Sequence, residues 1–174
     1  MAPTPALPTQ SAAAVCRDGE GRFLIVKPGY KDGWNLPGGG VEIGEPPSEA
    51  ARRELLEELN VEQEIGRLLV CAYVYPQDNQ PEDKQPVDNQ PGDDEPTDSQ
   101  ARGDAHIYWV FDGGVISDEQ RAGIRLQESE LKDYRFSAAG DIGPDEIPPA
   151  VRSVWERALA SLADGGTRYD EVPR

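Results

Sequence analysis

Three glutamates, Glu54, Glu57 and Glu58, stand at spacings i, i+3 and i+4 in a run of strong helix formers. In a helix such residues share one face, where neighbouring carboxylates repel one another. They also fall near the predicted C-terminal end of the helix, where the dipole disfavours anions. A divalent cation removes both penalties, and carboxylate oxygens suit Mg²⁺ or Mn²⁺. The pattern favours a metal site; the alternative is an ordinary solvated face with Arg53 paired to Glu57.

Three consecutive glycines, Gly38, Gly39 and Gly40, precede this helix in the chain. Glycine lets the backbone approach a bound group closely, and its free N–H groups can point toward phosphate. A glycine cluster alone is weak because turns use glycine widely. Together with the acid Glu45 and the helix carboxylates, it favours a site that holds phosphate and a cation.

The stretch from residue 39 to residue 61 resembles the Nudix box, whose pattern is G-x5-E-x7-R-E-U-x-E-E-x-G-U with U a bulky aliphatic residue. Eight of the nine specified positions match, namely Gly39, Glu45, Arg53, Glu54, Leu55, Glu57, Glu58 and Val61. The exception is Asn60, where the family has glycine. Asparagine is the next-best residue for a left-handed helix cap, so we expect the loop geometry to be retained.

The resemblance implies the Nudix fold, an α/β (α+β) architecture with a mixed β-sheet sandwiched between helices and the box as a loop-helix-loop. It also implies a Nudix-type pyrophosphohydrolase. Such an enzyme would use Mg²⁺, or Mn²⁺, and activated water to cleave a phosphoanhydride bond in a nucleoside di- or triphosphate derivative. Which derivative is the substrate stays open at this point.

The same resemblance implies roles for individual residues. Glu54, Glu57 and Glu58, with Gly39, would bind the metal, and Arg53 would orient the carboxylates. Glu54 or an acid from outside the box would activate water; the candidate outside acid is Glu130, with Glu128 and Glu119 as nearby rivals. Gly38, Gly39 and Gly40 would contact the substrate.

Two further residues are candidate substrate ligands. Lys27 could contact phosphate from a strand, and Trp34 could stack on a base, although core packing is a comparable explanation for an aromatic side chain. Tyr30 is a further candidate for stacking. His106, the chain's single histidine, is expected to face solvent or a strand neighbour rather than to act as a base.

Composition limits the possible partners and compartments. The 174-residue chain has 33 acidic and 17 basic residues, a formal net charge of −16, so binding to nucleic acid is disfavoured. Two cysteines without a C-x-x-C pair, and no long apolar run, predict a cytoplasmic protein that does not enter membranes. The expected partner is a small nucleotide substrate, and a homodimer is possible.

These residues must be positioned by a single domain, predicted to span residues 11–165 between a flexible N-terminus (1–10) and a C-terminal tail (166–174). Apolar runs predict a hairpin of two strands over 11–16 and 22–27. A helix is predicted over 47–59, strands over 68–75 and 105–111, and a last strand near 130–137. Apolar residues at helical spacing predict a final helix, which begins near Val151 and ends before Gly165.

A low-complexity insertion, assigned to 76–104, interrupts this domain. Residues 76–100 form five tandem pentapeptides that begin with proline and carry Asp at the third position, with a net charge of −7. So few apolar residues cannot offset the entropy of ordering, which predicts a disordered loop between two neighbouring strands. Docking of a basic partner or a weak calcium site are the alternatives.

Two functions from other classes compete with hydrolysis. A Nudix-fold module could bind a nucleotide without cleaving it, although an intact set of acids favours the enzyme. A partner-binding adaptor could act through the acidic 76–100 repeat. Deletion of that repeat separates the last hypothesis from the others, because an enzyme would retain hydrolysis.

Overall fold

The computed structural model describes residues 8–75 and 105–172. These residues form seven strands, three α-helices and a short 3₁₀ turn at Ala139–Asp141. The strands are β1 (Thr9–Arg17), β2 (Phe23–Pro28), β3 (Gly38–Gly40), β4 (Leu68–Val74), β5 (His106–Val115), β6 (Leu131–Ser137) and β7 (Arg168–Val172). The helices are α1 (Pro47–Leu59), α2 (Asp118–Ala122) and α3 (Pro149–Asp164).

All seven strands belong to one mixed sheet, with the order β6-β2-β1-β5-β4-β7 and β3 paired to β1. β1 runs parallel to β5 and β4 runs parallel to β7, whereas the other pairs are antiparallel. The mixed sheet predicted from the sequence is confirmed. The antiparallel β4–β5 pair also confirms that the 76–104 segment connects neighbouring strands, although that segment lies outside the described residues.

The strands extend beyond the predicted boundaries at both ends of the chain. β1 begins at Thr9, inside the segment expected to be flexible, and residues 168–172 form β7 where a tail was expected. β7 is short and polar in sequence, so its pattern gave little indication of a strand. It is held by pairing with β4 and by burial of Asp170 and Val172.

Side chains of β1 alternate between the two faces of the sheet, as the period of a strand requires. One face packs under α3, in a core that includes Ala13, Val15, Ile25, Val70, Val110, Val154, Trp155 and Ala158. The other face packs under α1, in clusters that include Ala12, Ala14, Cys16, Leu24, Val26, Leu55, Leu59 and Phe111. The sheet is therefore sandwiched between helices, as predicted.

The sheet opens between β2 and β3. β1 and β2 are registered only at Arg17 and Phe23, and further along its length β1 pairs with β3 instead. β2 then contacts the segment before β3 through the isolated bridge between Val26 and Asn35. This opening leaves a space beside the glycine strand that a regular sheet would fill with backbone.

Helix α1 has the ends that its sequence requires. Pro47 occupies the first turn, where a missing N–H costs nothing. At the other end Asn60 adopts the left-handed conformation (φ 58°), and its N–H donates to the carbonyl of Leu56. The prediction that asparagine keeps the left-handed cap in place of glycine is thus confirmed. The side chain of Asn60 also donates to the carbonyl of Gly123.

Both cysteines are free, with Cys16 buried and Cys71 partly exposed. None of the helices formed by the described residues has the length and hydropathy needed to cross a lipid bilayer.

Candidate metal and phosphate site

Three carboxylates meet beside the opening in the sheet. Oxygen atoms of Glu54, Glu58 and Glu130 all lie within 4.8 Å of one another. Glu54 is 8% exposed and Glu58 is 5% exposed, whereas Glu130 faces solvent. We call these three side chains the glutamate group. The sequence predicted all three as site residues, but it placed Glu57, rather than Glu130, beside the other two.

Glu58 is the most buried member of the glutamate group. Its Oε2 accepts one hydrogen bond from the backbone N–H of Gly38, at 3.0 Å. Burial, together with the charges of Glu54 and Glu130, raises the pKa of its carboxyl from 4.5 to about 8, although the hydrogen bond from Gly38 opposes the shift. Without a cation the group therefore favours a protonated Glu58.

Glu54 packs directly against the glycine strand. A Cβ atom added to Gly39 would lie 2.4 Å from its Oε1, so only glycine leaves room for this carboxylate. The Nη1 atom of Arg53 donates to the same oxygen at 2.8 Å. Burial nevertheless raises the pKa of Glu54, because the hydrogen bond and charge of Arg53 oppose it only in part.

Arg53 connects the glutamate group to the loop before the helix. Its Nε and Nη2 atoms donate to the two carboxylate oxygens of Glu45, at 3.0 and 3.1 Å. Nη2 also donates to the carbonyl of Gly40 (2.8 Å), and Nη1 donates to Glu57 (2.9 Å) as well as to Glu54. This arrangement fixes helix, loop and β3 together, and it holds the carboxylate of Glu57 on the exposed side.

Glu130 reaches the site from the turn before β6. Its backbone carbonyl accepts a hydrogen bond from Gly29, which anchors the turn to the end of β2. Gln127 donates weakly to its Oε1, at 3.3 Å. Its two rivals, Glu128 and Glu119, are exposed and do not belong to the glutamate group.

The opening in the sheet forms a cavity of about 440 Å³, which we call the glutamate cavity. Glu58 and the three glycines of β3 line one end, together with Lys31. Burial lowers the pKa of Lys31, whereas the charge of Glu58 raises it. A lysine and a glycine backbone that lets a bound group approach closely, beside carboxylates, can bind phosphate together with its cation.

Sequence reasoning missed Lys31 and chose Lys27 instead. Lys27 and Trp34 do not line the glutamate cavity. The centroid of the Trp34 ring lies 4.4 Å from the Arg135 guanidinium and 6.0 Å from the Lys27 ammonium. It also packs against the core under α3. The position of Lys31 next to Tyr30, another cavity residue, was the available signal, since both lie in the loop before the glycines.

A second cavity, of about 590 Å³, lies against the loop that follows β3. We call it the tryptophan cavity, because Trp109 lines it together with Ile43, Val41 and Phe111. Glu45 also lines it, but its carboxylate is already paired with Arg53, which lowers its pKa. Glu42, the other acid in its lining, is exposed, so the larger cavity offers little for catalysis.

The glutamate group fits a hard divalent cation. Its donors are carboxylate oxygens that can converge on one point, and two of them are buried. Arg53 is shared among several carboxylates, so it leaves negative charge without a full counter-charge. Oxygen ligands in this number suit Mg²⁺ or Mn²⁺, which keep several waters and bind substrate phosphate as well.

Comparison with known proteins agrees with this geometry. Residues 7–157 match the family model of the NUDIX domain. The chain therefore belongs to the Nudix family.

One curated relative is diphosphoinositol polyphosphate phosphohydrolase 2 of Rattus norvegicus, 46% identical over 61 residues, which are 33% of this chain and 34% of that protein. The chain thus spans about a third of the length of this relative.

Among solved structures, the MutT protein from Methanosarcina mazei Go1 has a TM-score of 0.64 at 21% identity, covering 90% of this chain and 96% of that one. A NUDIX hydrolase from Nitrosomonas europaea has a TM-score of 0.67 at 16% identity, covering 98% and 81%. These two similarities show the shared fold.

Proposed function

We propose that the protein is a pyrophosphohydrolase that cleaves a phosphoanhydride bond in a nucleoside di- or triphosphate derivative, with Mg²⁺ or Mn²⁺ as cofactor. The observation that carries the proposal is the glutamate group. Its carboxylates lie within 4.8 Å of one another, and Glu58 opens into a cavity with glycine backbone and a lysine. Stability alone does not explain buried, mutually repelling carboxylates.

Glu54, Glu58 and Glu130 would hold the cation in this proposal, with Glu57 and the backbone of Gly39 as further ligands. Glu57 stays a proposed metal ligand because its carboxylate shares the Nη1 atom of Arg53 with Glu54. The bound cation would neutralise charge on the phosphates and lower the pKa of the attacking water.

The chain's own residues would then orient and activate the reactants. Arg53 holds Glu54 and Glu57 at fixed positions. The glycine backbone of β3 contacts the substrate, and Lys31 binds its phosphates. Glu130 is the exposed member of the glutamate group and the member best placed to accept the proton of the attacking water. Glu54, the other candidate base, is already engaged by Arg53.

The lining of the glutamate cavity can be compared with two substrate classes, nucleoside derivatives and inositol pyrophosphates. The apolar side chains that line the glutamate cavity, among them Leu36, Val151 and Val154, suit a nucleoside. The name of the rat relative instead suggests an inositol pyrophosphate. Such a ligand carries many phosphates and needs several cationic side chains. Among the described residues that line the cavity, Lys31 is the only lysine or arginine. The lining therefore favours the nucleoside derivative.

The experiment is a hydrolysis screen with purified full-length protein, with and without Mg²⁺. Substrates are nucleoside triphosphates, ADP-ribose, nucleotide sugars, dinucleoside polyphosphates and an inositol pyrophosphate. We expect Mg²⁺-dependent turnover of at least one nucleotide, and a loss of more than about 100-fold in Glu58→Gln. Glu57→Gln tests its ligand role, because turnover equal to the wild type contradicts that role. Tight binding of a nucleotide without turnover would replace the enzyme with a binding module.

Several predictions from the sequence accompany this proposal. Lys27 and Trp34 stay predicted substrate ligands, to be tested by substitution. A cytoplasmic location, a possible homodimer, the absence of nucleic-acid binding and the domain limits 11–165 also stay predictions. The adaptor hypothesis, which depends on residues 76–100, is tested by deleting them and measuring hydrolysis.

A further inference from the structure

A hydrogen-bonded network lies along the pair of parallel strands β1 and β5. The Oγ1 atom of Thr9 is 2.8 Å from Nδ1 of His106, and the Oγ atom of Ser11 is 2.7 Å from Nε2 of the same ring. The register places Thr9 opposite His106 and Ser11 opposite Tyr108. One imidazole thus connects two hydroxyl groups that are two residues apart on one strand.

Only one of these two hydroxyls belongs to the glutamate cavity. Ser11, His106 and Tyr108 line it, whereas Thr9 does not. The lining also includes apolar side chains of α3, namely Ala150, Val151 and Val154. Ser11 therefore places a polar group in a part of the cavity whose other walls are largely apolar or aromatic.

The position of Ser11 relative to the glutamate group matches the shape of a nucleotide. Ser11 pairs with Gly40 in β3, two residues from Gly38, whose N–H binds Glu58. Two residues along a strand span about 7 Å. A sugar fits in that interval, so phosphates held beside Gly38 and the carboxylates would leave the base near Ser11 and Gly40.

The chemistry of the imidazole determines what Ser11 can offer to a ligand. A neutral ring has one N–H donor and one acceptor nitrogen. If Nε2 carries the proton, the Ser11 oxygen accepts a hydrogen bond from the Nε2–H group, and the serine O–H is left to donate to a ligand. If Nε2 is the acceptor, the serine O–H donates to it and the oxygen is left to accept. A change of tautomer, with Thr9 taking the opposite role at Nδ1, converts Ser11 from donor to acceptor.

We propose that Ser11, oriented by His106, contacts the base of the nucleotide and is a base-binding residue that accepts either purine. The inference rests on the proposed nucleotide function. Because the network can present either a donor or an acceptor, Ser11 accommodates both the amino edge of adenine and the carbonyl edge of guanine. His106 acts as a positioning residue, since its two nitrogens are engaged by the hydroxyls.

The experiment measures equilibrium binding by calorimetry in Mg²⁺, so it does not depend on turnover. The probes are the α,β-methylene analogues of ADP and GDP, and the methylenediphosphonate ester of ribose, which lacks only the base. We expect Ser11→Ala to weaken both nucleotide analogues by about 10-fold, the loss of one hydrogen bond. Binding of the ribose ester should stay unchanged.

Two further variants separate recognition from structure. Ser11→Thr keeps the hydroxyl and should restore nucleotide binding to within about threefold. Thr9→Val removes the other hydroxyl on the same imidazole, outside the cavity, and should change nucleotide binding by less than about threefold.

Equal losses on all three probes would overturn the proposal, because the contact would then be structural or directed at ribose. No loss on any probe would overturn it as well. If the wild type hydrolyses nothing but Ser11→Ala shows the selective loss in binding, the hydrolase proposal fails and this one stands. If hydrolysis is found without the selective loss, only this proposal fails.

Discussion

The chain segment around β3 contributes to two cavities that differ in chemistry more than in size. The tryptophan cavity is the larger, about 590 Å³ against about 440 Å³. Of the two acids that line it, Glu45 is paired with Arg53 and Glu42 is exposed. The glutamate cavity contains Glu58, whose charge is opposed by burial and by two neighbouring carboxylates. A volume alone therefore does not identify the reactive site. A buried carboxylate whose charge lowers stability does identify it, because such a charge needs a compensating function.

The strongest test of this difference is Glu130→Gln. We expect a loss in kcat of about 100- to 10,000-fold, because Glu130 is the proposed acceptor of the water proton. Glu128→Gln is the matched control, since Glu128 is exposed two residues away and lies outside the glutamate group. Steady-state kinetics in saturating Mg²⁺ measure both. Equal activity of the two variants would remove Glu130 from the mechanism.

A second test alters the wall of the glutamate cavity without substituting an acidic residue. In Gly39→Ala the new methyl group would lie 2.4 Å from Glu54 Oε1, so the carboxylate must move. Displacement of a catalytic group by about 1 Å can cost about 100-fold in rate, which is the expected loss.

Gly40→Ala is the control for this substitution. It also lines the glutamate cavity, but a Cβ there meets nothing within 4 Å. Activity within about threefold of the wild type is expected for it. Comparable losses in the two variants would mean that backbone freedom, rather than room for Glu54, is what β3 requires.

The metal-free protein offers a test of how much the buried charge destabilises the fold. The pKa of Glu58 is about 8 in the folded protein, against an ordinary value of 4.5. The folded state thus keeps a proton that the unfolded chain releases, so the free energy of unfolding falls as pH rises from about 4.5 to about 8. Above this range the penalty is complete, and below it the penalty is absent.

Glu58→Gln removes this dependence. In EDTA at pH 9 we expect its free energy of unfolding to exceed that of the wild type by about 2–4 kcal/mol, and at pH 4 the two should be equal. Urea titrations followed by tryptophan fluorescence measure both values. Glu57→Gln, at an exposed position, should show the wild-type pH profile. If Glu58→Gln loses stability in parallel with the wild type, the buried charge is not its cause.

The sequence predicted the acids of the helix but not which of them would be buried together. Spacing places Glu54, Glu57 and Glu58 on one face, yet the packing of α1 buries only Glu54 and Glu58. Glu130 comes from more than 70 residues further along the chain. Its proximity depends on the pairing of β2 with β6 and on the bond from Gly29, so no local pattern could establish it.

Elements with strong periodic patterns were predicted well, and those that depend on partners were not. α1 and the hairpin strands have apolar spacing and clear ends, whereas β7 is polar and exists because β4 offers an edge. Lys31 was missed for a similar reason. It lies in a loop, and only the separation of β2 from β1 turns that loop toward the glycines.

The smallest expected effect lies in the tryptophan cavity, where Ile43→Ser is the most informative change. Ile43 is fully exposed although it lines this cavity, so its replacement removes apolar surface without leaving a void. It lies two residues before Glu45, which Arg53 already fixes through both carboxylate oxygens, and this anchoring should keep the loop in place. We expect kcat/KM within about twofold of the wild type and a change in the free energy of unfolding within about 0.5 kcal/mol. A loss above tenfold would show that the tryptophan cavity takes part in substrate binding, and the contrast between the two cavities would then be wrong.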